Sequence, residues 1–309
     1  MSAAAPTAPA GPRDATPARL PDDTGHATAS DGVRLAFDVY GSGERTLVLL
    51  PSAPIIHARQ WKAQIHFLSR QYRVVAFDGR GNGRSDRPTV PEAYADDRMV
   101  ADIVTVMDAT DTAHAVMVGL CGDGVWRSIR LAAEQPARVD GIVAFAVGVP
   151  YLSPSQPHYA NMAFEDEGAA DEGWARFNRH SWRRDYPGFA RFFFEQMTTE
   201  PHSTKAVEDA AGWAVEGSVD AMLADHEVDF PLDLEAVEAT CRQVRCPMLL
   251  VHGTDDQCQP IARAHRLAEI TGAPLVVVEG ANHMIPGRHP VLANLLIRDF
   301  VRSLERDAR

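Results

Sequence analysis

Residues 116–124 read VMVGLCGDG and join a predicted strand to a predicted helix. Residues 113–120 predict a strand, and residues 122–135, which follow at once, predict a helix. No linker separates the two elements, so the chain must turn sharply between them. Glycines on both sides of Cys121 allow such a turn, and the turn lifts one side chain above the sheet. The stretch therefore predicts a strand, a tight turn that presents the Cys121 thiol, and a helix.

The same alternation of strands and helices continues on both sides of this turn. Strands are predicted at 32–40, 46–50, 72–77, 141–147, 248–252 and 274–278, and helices at 59–71, 95–109, 261–270 and 290–304. Strands that alternate with helices form a mostly parallel sheet with helices on both faces. Residues 24–150 and 241–309 are therefore predicted to form one α/β core.

Residues 151–240 differ from the core in their composition. They contain many aromatic residues at helical spacings and no clear buried strand, which predicts a helical insertion. Ligands of open α/β sheets bind outside the carboxyl ends of the strands. We therefore expect the insertion to cover a site there, as a cap.

Composition excludes several classes of protein. The chain has 309 residues, 45% of them hydrophobic, and a formal net charge of −12. An acidic surface is a poor match to a phosphate backbone, so no nucleic-acid partner is expected. No apolar stretch of about 20 residues occurs, so no membrane span or membrane partner is expected. The oligomeric state stays open.

The cysteines and residues 1–23 are used to predict the cellular compartment. Four cysteines without CxxC spacing do not form a disulfide framework, which favours reduced thiols and a cytoplasmic protein. Residues 1–23 are rich in Ala, Pro and Thr and lack the pattern of a secretory signal. We predict that they form a disordered arm.

Two motifs resemble the α/β-hydrolase superfamily. Residues 119–124 resemble its nucleophile elbow, Gly-x-Ser-x-Gly, with Cys121 in the place of the serine and Asp123 in the place of a small residue. Residues 77–86, FDGRGNGRSD, resemble a turn of mostly structural role in the same superfamily. Their glycines do not predict a dinucleotide loop, because no helix follows them. The resemblance covers residues 24–304 and implies an α/β-hydrolase fold with a helical cap.

The resemblance also implies an acid and a base after the later strands. The family's acid loop matches residues 251–260, where the spacing assigns Asp256, with Asp255 as the alternative. The histidine loop matches residues 278–284 and assigns His283, with His289 as a weaker competitor. Nucleophile, acid and base then follow the family's chain order. The acid would orient the imidazole and stabilise its cation.

The oxyanion side departs from the family pattern. Members usually carry His-Gly-x-x after the third strand, but residues 51–57 read PSAPIIH. The two prolines have no N–H to donate. By position, the N–H groups of Ala53 and Gly122 are the expected oxyanion donors. Ser52 and His57 are possible side-chain donors.

Three alternatives compete for these residues. Cys121 alone is compatible with a buried core thiol, since free cysteine packs as a small hydrophobe. Asp123 opposes a thiolate at the helix start, unless it pairs with Arg127 four residues later. A metal site built from the residues near the acid loop lacks ligand spacing, so no metal or other cofactor is expected. Its candidates would be His252, Asp255, Asp256 and Cys258.

These residues predict covalent acyl transfer. His283, oriented by Asp256, takes the Cys121 proton, and the sulfur attacks an ester or thioester to give an acyl-cysteine. By resemblance, cysteine elbows occur in dienelactone hydrolases, polyester synthases and some thioesterases. The aromatic insertion suggests a small, apolar acyl substrate. The alternatives are a non-catalytic binding protein on this scaffold, and a carbon–carbon or epoxide hydrolase with Asp123 as nucleophile.

Overall fold

The computed structural model describes residues 19–160, 163–168 and 171–307, which are built around an eight-stranded sheet. The strands are β1 (Asp23–Thr28), β2 (Arg34–Tyr40), β3 (Thr46–Leu49), β4 (Arg73–Phe77), β5 (Ala115–Leu120), β6 (Val139–Phe145), β7 (Met248–Gly253) and β8 (Leu275–Val278). Their order is β1-β2-β4-β3-β5-β6-β7-β8. β2 pairs antiparallel with β1 and β4, and the other pairs are parallel. This is the mostly parallel sheet that the sequence predicts.

Helices cover both faces of the sheet. They are α1 (Lys62–Leu68), α2 (Asp96–Ala109), α3 (Cys121–Glu134), α4 (Pro157–Ala160), α5 (Arg179–Arg184), α6 (Tyr186–Met197), α7 (Thr204–Val215), α8 (Val219–His226), α9 (Leu234–Gln243), α10 (Ile261–Thr271), α11 (Ile285–Arg288) and α12 (Pro290–Asp307). Short 3₁₀ turns add Ala58–Trp61, Pro91–Tyr94, Pro136–Arg138 and Gly173–Arg176.

The central strand β5 shows how the sheet divides the core into two layers. All six of its residues are buried. Met117 packs with the apolar side chains of α2, α3 and α10, whereas Val116 and Val118 pack with those of α1 and α12. Successive side chains of a strand point to opposite faces. A strand that is apolar on both faces therefore needs helices on both sides.

The parallel register brings the carboxyl ends of the central strands together. Leu49 pairs with Val118, Leu120 with Phe145, and Phe145 with Val251. The segments that follow β3, β5, β6 and β7 consequently leave the sheet on the same side, at the carboxyl ends of these strands. Cys121 lies on this side, directly after β5.

The insertion between β6 and β7 forms a separate apolar cluster. Trp182, Phe189 and Phe194 of α5 and α6 are buried in it, together with Ile55 and Ile56 from the segment after β3. The insertion therefore packs on the segment that holds the expected oxyanion donor. The predicted boundary at residue 240 falls inside α9, whose apolar side chains pack with α3 and α10 in the core.

The start of the chain differs from the prediction. Residues 1–18 of the predicted arm lie outside the described residues. Arg19 donates to the Ser69 hydroxyl at 2.6 Å, and the Asp22 N–H donates to the Val39 carbonyl at 2.8 Å. Asp23 then begins β1. These residues pack on the fold because β1 adds a strand to the sheet edge.

The glycine-rich turn at 77–86 has a structural role, as expected. The buried Arg80 donates two hydrogen bonds to the Asp102 carboxylate, at 2.6 and 2.7 Å, and a third to Asp31 at 2.8 Å. Buried charges persist where they are paired in this way.

In the part of the chain that the structure describes, no helix has the length and apolarity that crossing a bilayer requires.

Candidate active site

The turn that carries Cys121 has a strained backbone. Cys121 has a φ of 64°, in the left-handed region that residues with a Cβ rarely adopt. Such a conformation costs about 1–3 kcal/mol and persists only where the surroundings enforce it. A Cβ on Gly119 would lie 2.5 Å from the carbonyl carbon of Gly124, so these glycines let strand and helix meet. This is the local geometry that the sequence predicts.

Gly148, after β6, provides a test of this packing. A Cβ there would lie 2.7 Å from the Gly122 Cα and 2.9 Å from the Cys121 carbonyl carbon, both backbone atoms that cannot rotate away. We expect Gly148→Ala to displace the turn, to lower Tm and to reduce kcat/KM at least about tenfold, since small misplacements of reacting groups are costly. Gly212→Ala is the matched control, because its Cβ would meet no atom within 4 Å. Equal stability and activity of the two variants would contradict this packing.

His283 and Asp256 form a buried hydrogen-bonded pair. The Nδ1 atom of His283 lies 2.9 and 3.1 Å from the two carboxylate oxygens of Asp256. Oδ1 of Asp256 also accepts the backbone N–H groups of Cys258 and Gln259, at 2.7 and 2.8 Å. Burial alone would raise the pKa of Asp256, but the neighbouring histidines and the Gln259 N–H outweigh it and lower this pKa. Asp256 is thus held as an oriented carboxylate.

The competing residues lie apart from this pair. Asp255 is exposed and accepts a hydrogen bond from the Thr254 hydroxyl at 2.9 Å. Nε2 of His289 lies 3.7 Å from Glu200. Asp256 therefore pairs with His283, whereas Asp255 and His289 contact other side chains.

The sulfur of Cys121 faces His283 and a second cysteine. Sγ of Cys121, Sγ of Cys258 and a ring nitrogen of His283 all lie within 4.8 Å of one another. Since Nδ1 of His283 is bonded to Asp256, Nε2 is the nitrogen left to face the sulfurs. The Gln259 amide nitrogen lies 3.5 Å from each sulfur. The geometry thus joins the three residues that the sequence assigned to a triad.

The charges of the pair Cys121 and His283 depend on each other. The hydrogen bond with Cys258 and burial raise the pKa of Cys121 well above its ordinary value, and the His283 ring works against this rise. Burial opposes a charge on His283, but Asp256 and the Cys121 sulfur outweigh it and raise the pKa of His283 to about 10. The two pKa values are coupled, because the rise at His283 includes the effect of a charged Cys121 sulfur. The ring therefore gains its proton as the thiol loses one, and Asp256 stabilises the resulting imidazolium.

The expected oxyanion segment lies beside the turn. The Ser52 hydroxyl donates to the Leu120 carbonyl at 3.2 Å, which fixes the segment against the end of β5. Among the described residues, the Ala53 N–H has no hydrogen-bond partner, and Gly122 lies in the first turn of α3, where N–H groups lack helical acceptors. Nε2 of His57 lies 3.3 Å from Glu216 of the cap. Ser52 and His57 are thus engaged elsewhere.

A family model described as "alpha/beta hydrolase fold" matches residues 45–290. The chain belongs to this family. A non-heme chloroperoxidase of Streptomyces lividans is 29% identical and covers 90% of this chain and 100% of its own length. Epoxide hydrolase A of Mycobacterium tuberculosis is 24% identical, with 89% and 96% covered. A bifunctional esterase/perhydrolase of Acinetobacter calcoaceticus is 23% identical, with 90% and 100% covered.

Solved structures show the same fold. An esterase from Rhodococcus superposes with a TM-score of 0.75 at 20% identity and covers 91% of this chain and 99% of its own. An enol-lactonase from Burkholderia xenovorans gives a TM-score of 0.73 at 19% identity, with 90% and 100% covered. The predicted α/β-hydrolase fold is confirmed, and the chain is a hydrolase-family enzyme resembling esterases, haloperoxidases and epoxide hydrolases.

Asp123 of this hydrolase forms an ion pair within its own helix, α3. Its carboxylate lies 2.6 Å from the Arg127 guanidinium, and Arg127 also lies 3.6 Å from Asp96. The sequence suggested this pairing, which offsets the unfavourable effect of a carboxylate on a neighbouring thiolate. A carboxylate held in this way is a poor candidate for the nucleophile of an epoxide hydrolase.

His252 supports the acid loop and was not assigned this role from the sequence. Its Nδ1 accepts the Val147 N–H at 3.0 Å, so its Nε2 carries the proton and donates to the Gln259 carbonyl at 3.0 Å. Burial lowers its pKa, so the ring stays neutral. This neutral ring connects the end of β6 to the acid loop. Of the residues that the sequence disfavours as a metal set, His252, Asp255, Asp256 and Cys258, Asp255 is exposed and accepts a hydrogen bond from the Thr254 hydroxyl.

Asn282 links the site to the cap, which the sequence also did not reveal. Its Oδ1 accepts the N–H groups of Gln257 and His283, at 3.1 and 2.6 Å. Its Nδ2 donates to the Gln196 carbonyl and the Thr199 hydroxyl, both at 2.8 Å. The acid loop, the histidine loop and the end of α6 are therefore joined through one amide.

Proposed function

We propose that this hydrolase cleaves or transfers an acyl group of an ester or thioester through an acyl-cysteine on Cys121. The observation that carries the proposal is the triad: the Cys121 sulfur lies on a strained turn within 4.8 Å of the His283 ring, whose other nitrogen is bonded to Asp256. A nucleophile beside a base that a third group orients is the usual sign of covalent catalysis.

The first half-reaction forms the acyl-cysteine. Nε2 of His283 takes the proton from Cys121 as the sulfur attacks the carbonyl carbon. The N–H groups of Ala53 and Gly122 donate to the oxygen that becomes negative. The imidazolium, stabilised by Asp256, then gives its proton to the departing alcohol or thiol, and the bond to that group breaks.

The second half-reaction releases the acyl group. His283 is neutral again and takes a proton from water or another acceptor, which attacks the thioester carbonyl. The bond to sulfur breaks and Cys121 regains a proton from His283. A thioester reacts with amines and alcohols as well as with water, so acyl transfer competes with hydrolysis when such an acceptor binds.

An apolar acyl group fits the surroundings of the sulfur. Cys258 and Met284, which flank the triad, pack against the aromatic cluster of the cap. The Tyr159 hydroxyl, which belongs to the cap, lies 3.8 Å from the Cys258 sulfur, so the cap contacts the site here. We expect the apolar part of a substrate to bind among such side chains, with few polar contacts to orient it. The partner is a small molecule of this class.

A substrate panel tests the proposal. The purified protein is given aryl esters, acyl thioesters and aryl epoxides, with and without an amine acceptor. We expect turnover of esters and thioesters, and acylated amine when the acceptor is present. No turnover across the panel would favour a binding protein. Epoxide turnover that Asp123→Asn removes and Cys121→Ala leaves intact would establish the alternative nucleophile.

A further inference from the structure

Cys258 is a second thiol at the triad, and the acyl-transfer mechanism has no step for it. Its sulfur lies within 4.8 Å of both the Cys121 sulfur and the His283 ring. The three residues come from the ends of three different strands, β5, β7 and β8, so only the fold brings them together. Two thiols and one imidazole are a ligand set that zinc prefers.

The distances suit a tetrahedral metal. Bonds of about 2.3 Å from zinc to sulfur and about 2.0–2.1 Å to nitrogen place tetrahedral ligand atoms about 3.5–3.8 Å apart. The three ligand atoms already lie within 4.8 Å of one another. Side-chain movements on the order of 1 Å would therefore complete the geometry.

The surroundings of His283 also match a metal site. Histidine ligands usually donate their other N–H to a carboxylate, which fixes the ring. Here Nδ1 of His283 bonds to Asp256, and two backbone N–H groups hold Asp256 in turn. The arrangement that orients a catalytic base thus also orients a metal ligand.

We infer that Cys121, Cys258 and His283 form a binding site for Zn²⁺, and that bound zinc blocks the Cys121 nucleophile. Binding replaces the two S–H bonds with two Zn–S bonds and releases two protons to the solvent. A soft thiolate pair selects zinc or cadmium over magnesium and calcium. Zinc binding does not require the proposed reaction, because it depends on the three side chains alone.

Titration of the reduced protein with Zn²⁺ and Co²⁺ tests the site. We expect one equivalent of zinc to bind, and cobalt to give the near-ultraviolet absorption of a thiolate complex. Cys258→Ser should lower that absorption by about half at saturating cobalt, since one thiolate ligand remains, and weaken zinc binding at least about 100-fold, which exceeds the usual cost of losing only a second-shell partner. Cys246→Ser is the matched control, a partly buried thiol elsewhere that should leave both signals unchanged.

Inhibition gives a second readout, measured against the uninhibited rate of each variant. Zinc should stop ester turnover of the parent protein, a chelator should restore it, and Cys258→Ser should need at least about 100-fold more zinc. Equal zinc affinity of the parent protein and Cys258→Ser, no thiolate absorption with cobalt, or full turnover with zinc bound would each overturn the inference. A protein that binds zinc in this way but turns over no ester would refute only the proposed function.

Discussion

Cys121→Ala will reduce kcat/KM for the best ester by about 10⁴-fold or more, because the substitution removes the sulfur that forms the covalent intermediate. The substitution removes one sulfur from a partly exposed position, so Tm should change little. Steady-state rates on the best ester of the panel, with thermal unfolding measured on the same samples, provide the comparison.

Two variants act as controls for this loss. Cys246→Ala removes a thiol that lies outside the site and should keep the parent rate. Cys121→Ser places a weaker nucleophile at the same turn, and any turnover it retains should be sensitive to the loss of His283. If Cys121→Ala kept a rate within about tenfold of the parent, the covalent mechanism would be wrong.

His283→Gln will lower kcat/KM by about 10³-fold or more, since the thiol then has no base and the leaving group no acid. The Asp256 carboxylate would also lose its imidazole partner, since its two oxygens lie 2.9 and 3.1 Å from Nδ1 of His283. Alkylation of Cys121 by iodoacetamide, followed by peptide mass, should slow in the same variant.

His289→Gln is the matched control for His283. His289 lies on the same segment, six residues later, but its ring faces Glu200 at 3.7 Å. We expect it to keep both the ester rate and the alkylation rate of the parent. Equal losses in the two variants would show that the histidine loop matters only for folding.

The sequence predicted those parts of the site that follow from local geometry. A strand, a helix and glycines at positions 119, 122 and 124 leave one way to turn the chain, so the place of Cys121 could be predicted. Asp256 and His283 were assigned from family spacing after strands, and the structure joins them. The parallel register explains why these residues lie together, because it gathers the carboxyl ends of successive strands on one side of the sheet.

Contacts between distant segments were not predictable. The Cys258 sulfur, on the segment after β7, lies within 4.8 Å of the Cys121 sulfur, and no local sequence pattern encodes that approach. Asn282 and His252 act through hydrogen bonds to backbone groups of other segments, which leave no sequence signature. The strand β1 was missed because its sequence, DTGHAT, is polar and only Ala27 in it is fully buried.

Detection of the acyl-cysteine tests the proposed covalent mechanism most directly. The protein is mixed with an aryl carbamate, whose acyl-enzyme is hydrolysed slowly, quenched in acid and mapped by peptide mass. We predict one carbamoyl group on the peptide that contains Cys121, formed together with a burst of phenol, and none in Cys121→Ala. A burst without this adduct, or an adduct on another residue, would contradict the proposed chemistry.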